Sequence, residues 1–448
     1  MEDLTRKDME AFVLGKFEAS VAISELRDDQ PTIADRLVAE IVRKSEGVFL
    51  WVSLVTNSIL CGIVDGDTLT DSYRLLDELP SDLSDLYSDL WSRVESEHKA
   101  ERARLLCVLQ HYSSSNPEDY WPPRWGFPSF LTGLSQPLLW FSAMKATSPF
   151  SPTTFARRLH SRTKGLIEIK SSGFVDYLHR TAHDWIMAGW DQVRLEIPAT
   201  FDGHMALVTG LASTVHLAGC SNSCCGDSSA WVFMAFHHAS MVSGQHRDRS
   251  FAELDRLAEE IRDMVLKQPS AGRDEFRKHC WISSSRQGFK NFGFVSLAAA
   301  LSGYAYPYVH AKMIAEPACY TTDGNATDLI WSIILGVESR EVRLCLQLRF
   351  SGTHMKLADD ERLNLAKLWF RCALERTRNR AALLSKLTSL HDELSGRLRS
   401  DIIGRDGHTE ATSNYDKELL RILRSHGVGP SFEAALYINQ IFLAQSSK

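Results

Sequence analysis

Apolar residues along this chain recur at three- and four-residue spacing almost from one end to the other, and strict alternation is confined to one short stretch. Side chains three or four apart share one face of a helix, whereas alternating side chains share one face of a strand. The pattern therefore predicts a mainly α fold with one small β-hairpin. Thr5 and Asp8 are placed as a capping box for a first helix carrying Met9, Phe12, Val13 and Phe17. Ile33, Leu37, Val38, Ile41 and Val42 predict a second, and a nearly all-apolar third begins near Val48, after the break at Gly47. Asp65, Gly66 and Asp67 make a turn; Leu69, Tyr73, Leu76 and Leu79 mark a helix that Pro80 closes. Ser81 and Asp82 cap the next, with Leu83, Leu86, Tyr87, Leu90 and Val94, and another runs from Arg102 to Gln110.

Residues 113–128 are rich in Ser and Pro and read as a loop. A short helix is expected between Thr153 and His160. Leu166 to Lys170 and Phe174 to His179 then alternate on either side of Ser171, Ser172 and Gly173, the mark of a hairpin. Thr181 and Asp184 suggest a second capping box, opening a helix that buries Trp185 and Ile186. Helices followed by a hairpin point to a winged-helix-like unit. Beyond residue 200 only helical pattern continues, clearest at Phe251, Leu254, Leu257, Ala258, Ile261 and Val265, and at Leu383, Leu387, Leu390, Leu394 and Leu398. No fixed repeat period accompanies it, so an irregular α-helical array is expected. The organisation read from these patterns is a helical segment over 1–64 and a helical and winged-helix-like domain over 65–190. A helical array over 200–400, a flexible linker over 401–414 and terminal helices over 415–448 follow.

With 44% hydrophobic and 24% charged residues, the 448-residue chain has the balance of a folded protein rather than a disordered one. A net charge of −6 gives no global attraction for nucleic acid or an anionic membrane. The nine cysteines are scattered and odd in number, and Cys224 and Cys225 are adjacent, which suits a reducing compartment better than a disulfide framework. The opening MEDLTRKDME has no apolar core of a secretory signal, so a cytoplasmic location is expected. The apolar stretch 47–64 is interrupted by Ser53, Thr56, Asn57 and Ser58 and reads as a buried helix, not a membrane span.

KSEGVFLWVSLVTNSIL at 44–60 followed by LLDELPSDLSDLYSDLWSRV at 75–94 resembles the helical lid of fungal NACHT-type (STAND, NLR-like) signalling proteins, just beyond their nucleotide-binding fold. YLHRTAHDWI at 177–186 is similar to the strand-to-helix segment of the winged-helix region in the same proteins, and 291–313 bears a vaguer similarity to their C-terminal helices. The positions carrying the match are Gly47, Phe49, Trp51, Leu79, Pro80, Leu86, Tyr87, His179, Arg180, Thr181 and Asp184. The resemblance covers roughly 1–190 and implies architecture: lid helices, a winged helix, and a role in innate-immunity or incompatibility-like signalling through protein partners. A NACHT-type ATPase, in cis or in trans, is the partner it suggests. It does not carry over nucleotide hydrolysis, because no GxxxxGK[ST] phosphate loop occurs in the chain. A truncated paralogue, a fragment or a split partner is the expectation, with no cofactor.

Other candidate chemistry is weaker. His183 beside Asp184 could act in proton transfer, but both fall in a helical first turn and read as scaffold. His216, Cys220, Cys224 and Cys225, with His237 and His238 further on, offer zinc-type donors, but the H-x3-C-x3-C-C spacing departs from the paired knuckles of structural zinc. Arg157, Arg158, His160, Arg162, Lys164 and Arg180 cluster around the recognition helix and wing, which supports DNA binding as the alternative function. Trp121, Pro122, Pro123, Arg124 and Trp125 could form a short polyproline ligand. No GxSxG, HExxH, GxGxxG or calcium loop is present, so the reading is non-enzymatic.

Overall fold

A computed structural model describes residues 2–23, 31–114, 129–143, 150–171, 173–220, 228–267, 305–315, 359–376 and 410–430, with position 298 and scattered positions between 384 and 396. The fold is mainly α with one two-stranded antiparallel hairpin, and divides into two compact units. The first comprises residues 1–114 and 129–206, the second 115–128 and 207–448. Among the described residues no helix is long and apolar enough to cross a membrane.

In the first unit α1 (Glu2–Glu18), α2 (Pro31–Lys44), α3 (Phe49–Val64) and α4 (Leu69–Glu78) pack together. Their shared core holds Met9, Val13, Phe17, Leu37, Ile41, Trp51, Val55, Ile59 and Leu76. Pro31 opens α2 at the one place where a missing N–H costs nothing. The chain turns from α2 into α3 through two left-handed residues, Glu46 (φ +50°) and Gly47 (φ +83°); the second lets the chain reverse without a Cβ clash. Thr68 and Asp71 form a reciprocal capping box on α4. The Asp82 carboxylate caps α5 (Leu83–Ser92), accepting from the N–H groups of Ser84 and Asp85 at 2.8 and 3.0 Å.

α6 (Ser96–Ser114) is the axis of the rest of this unit, with α7 (Ser129–Ser142), α8 (Pro152–Thr163) and α10 (Trp190–Glu196) packed around it. Leu105, Leu106, Val108 and Leu109 are buried. After α8 the chain turns through Lys164 (φ +50°) and Gly165 (φ +86°) into β1 (Ile167–Ile169), which pairs with β2 (Val175–Tyr177). The register sets Ile167 opposite Tyr177 and Ile169 opposite Val175, so the apolar side chains share one face. It also sets Glu168 opposite Asp176, and Lys170 Nζ, 2.7 Å from Glu168, offsets the repulsion. Gly173 (φ +88°) closes the turn, its N–H donating to the Lys170 carbonyl at 2.8 Å. The helix α9 (Arg180–Ala188) follows and packs on both β2 and α5.

In the second unit α11 (Gly203–Cys220) continues from the first, and α12 (Ser228–Met241) packs on α13 (Arg247–Lys267). There follow α14 (Tyr306–Ala315), α15 (Asp359–Arg376) and α16 (Glu410–Ser425), packed in series. Tyr308 of α14 is a shared centre, its ring against Phe236 and Phe251 and its hydroxyl donating to Asp255 at 2.7 Å. Trp369 and Phe370 fill the α15 face.

Four expectations need correction. The first helix begins at Glu2, so Thr5 lies within it rather than ahead of its first turn. The helix expected from Arg102 begins at Ser96 and continues through Ser113 and Ser114, so the loop starts later than position 113. Of the expected linker 401–414, residues 401–409 lie outside the described residues, and from Glu410 onward the chain is helical as α16. The fourth correction, at Thr181 and Asp184, belongs with the site.

Candidate functional site

The residues singled out by the family resemblance meet in the first unit, across α3 to α5 and α9. Trp51 is fully buried, and its indole Nε1–H donates to the Pro80 carbonyl at 2.7 Å. That bond joins the apolar helix α3 to the chain break that ends α4, where Leu79 is 1% exposed. Lys44 at the end of α2 donates its Nζ to the carbonyls of Leu76 and Asp77 at 2.5 and 2.8 Å, satisfying acceptors that the last turn of α4 leaves open. Gly47 and Phe49 lie at the rim: Phe49 is 44% exposed and rests one ring edge on Phe12, with centroids 5.0 Å apart.

Leu86 and Tyr87 are buried on α5. The Tyr87 hydroxyl is hydrogen-bonded to Thr181 Oγ1 at 2.8 Å, and its ring lies 5.8 Å from that of Trp185, which in turn stands edge-on to Trp91 at 5.6 Å. Burial pushes the Tyr87 hydroxyl pKa up, against the pull of the Thr181 bond. Below this aromatic run Arg102 of α6, 1% exposed, stacks its guanidinium 3.7 Å over Trp91. Its Nη1 donates to the Trp91 carbonyl at 2.9 Å and its Nη2 to Glu196 at 2.7 Å. Loss of solvation holds the Arg102 pKa below the ordinary arginine value, and Glu196 offsets part of that.

His179, not Thr181, caps α9. Its backbone is extended (φ −151°, ψ 160°), continuing the direction of β2, and its Nδ1 accepts from the Thr181 N–H at 3.2 Å. Thr181 sits within the first turn because its hydroxyl is taken by Tyr87 and by His179 Nδ1 at 3.0 Å. Asp184 does not return to a capping position; it contacts Arg180 at 3.5 Å and His183 at 3.1 Å on an exposed face. Ile186 is buried as expected, while Trp185 is half-buried against the aromatic run.

The basic cluster separates. Arg158 and Arg162 both grip Glu101 of α6, at 2.5 and 3.1 Å, and Arg158 also lies 5.1 Å over the Trp140 ring. His160 faces Cys61 of α3, whose Sγ is 3.5 Å from both ring nitrogens and so lies between their lone-pair directions rather than along either. Burial raises the Cys61 pKa and lowers that of His160, disfavouring the charged form of each, the opposite of what activates a thiol. Arg157 and Arg180 point outward, and Lys164 occupies the left-handed end of α8.

Of the zinc-type donors weighed in the sequence, only the side chains of His216, His237 and His238 are among the described residues. His216 is exposed on α11 and bonded to Glu260 at 2.7 Å. His237 and His238 are buried on α12. Cys224 and Cys225 lie outside the described residues, as does the Trp121–Trp125 segment, and of Cys220 only the backbone is described. One trio of possible ligand atoms does come close, at Glu95, Glu97 and His98 on the exposed start of α6.

Sequence reasoning missed one cluster. Cys107 and His111, four apart on α6, meet Asp202, Gly203 and His204 at the start of α11, where the His111 and His204 ring centroids lie 4.0 Å apart with the planes tilted by 34°. A Cβ on Gly203 would stand 2.8 Å from Cys107 Sγ and 2.6 Å from His111 Cδ2, so glycine permits the contact. Burial, with Asp202 adding to it, pushes the Cys107 thiol up to about 11; burial lowers the His111 pKa, and Asp202 opposes that. The C-x3-H spacing was the available signal, but its partners lie some ninety residues away. Compared with protein-family models, curated proteins and solved structures, the chain matches none.

Proposed function

We propose that the chain is a non-catalytic regulatory and protein-interaction segment of the fungal NACHT type, acting through a NACHT-type ATPase in cis or in trans. The observation that supports this most is the use made of the resembling residues. Trp51, Pro80, Tyr87, Thr181 and His179 engage one another and the neighbouring backbone, which is the work of scaffold residues rather than of a reaction centre. Burial disfavours both the Cys61 thiolate and the His160 imidazolium, which fits the same reading. Cytoplasmic residence accords with the scattered cysteines.

The test is retention of the purified chain on an immobilised fungal NACHT-type ATPase loaded with ATP or with ADP. Retention that depends on the nucleotide supports a gating role, and no retention in either state removes it. DNA binding through the wing is the second reading, supported by the outward Arg157 and by Arg180, whose side chain is 89% exposed. It ranks lower because Arg158 and Arg162, two of the cations it needs, are both engaged with the Glu101 carboxylate, which offsets part of their charge. A salt-sensitive shift of duplex DNA, lost in Arg157→Ala/Arg158→Ala, would reverse that order.

A further inference from the structure

We draw no further inference here: the strongest candidate, the Cys107, His111, Asp202 and His204 cluster where the end of α6 meets the start of α11, carries nothing because no observation beside the cluster itself points to a ligand there.

Discussion

Arg102 is a fully buried cation in the first unit. A buried guanidinium is tolerated when its charge and most of its donors are answered; here Glu196 and the Trp91 carbonyl take the two terminal nitrogens and the Trp91 ring covers the cation, while Nε is left without a partner. Arg102→Ala would strand Glu196, 16% exposed, without its cation, and is expected to cost about 3–5 kcal/mol, read from chemical denaturation. A loss below about 1 kcal/mol would mean that the pair is not formed in solution. The buried histidines make a second expectation at this scale. His111, His160 and His237 each have a pKa lowered chiefly by burial, with Lys164 contributing at His160. The unfolded chain takes up these protons near pH ~6.5 and the folded chain only at lower pH. Their contribution is thus complete above that value and lost as the pH falls below it. Thermal melts at pH 7.5 and 5.5 should show this fall, and His160→Gln should make it smaller. An unchanged pH dependence in the variant would show that burial of His160 is not what couples folding to protons.

At the level of elements, the joints decide more than the helices. α4 ends at Leu79 because Pro80 cannot continue it, and the Pro80 carbonyl then becomes the acceptor for Trp51 of α3. Trp51→Phe keeps most of the apolar volume but leaves that carbonyl without its donor, so about 1–3 kcal/mol of stability should be lost, measured by urea unfolding. A neutral result would indicate that water replaces the indole. The capping of α9 shows why local rules mislead at such joints. The spacing of Thr181 and Asp184 satisfies the capping-box pattern, yet Tyr87, ninety-four positions earlier in sequence, captures the Thr181 hydroxyl. His179, the last extended residue after β2, takes the cap instead. No local pattern contains Tyr87, so no local pattern could have foreseen the outcome.

For the whole molecule, the described residues fall into two compact units of packed helices, the first with α6 at the centre of its later helices and the second running from α12 to α16. The proposed role assigns nucleotide chemistry to a partner, and ATP with magnesium should therefore leave the melting temperature of the isolated chain unchanged. A ligand that binds only the folded state raises stability with its concentration. A dose-dependent rise in melting temperature would overturn the non-catalytic reading and return attention to this chain. The same arrangement explains why the candidate chemistry read as composition did not assemble. The basic and imidazole side chains clustered in sequence at 157–162 diverge on α8, Arg158 and Arg162 toward Glu101, His160 toward Cys61 and Arg157 outward, because successive helix positions turn about a hundred degrees apart.

What the sequence determined by itself was the class of each segment: the helices, the hairpin about Gly173, the break at Pro80, the Asp82 cap and the buried faces of Leu37, Ile41, Leu105 and Leu254. These follow from periodicity and backbone chemistry within a few residues of each position, which is information a linear string carries. Only the tertiary structure decided which long-range partner each polar side chain would find. Trp51 with Pro80, Tyr87 with Thr181, Arg102 with Glu196, and Cys107 and His111 with Gly203 all join segments tens of residues apart. A hydrogen bond or ion pair acts over a few ångströms in space, and only the packing of helices brings those residues within that reach.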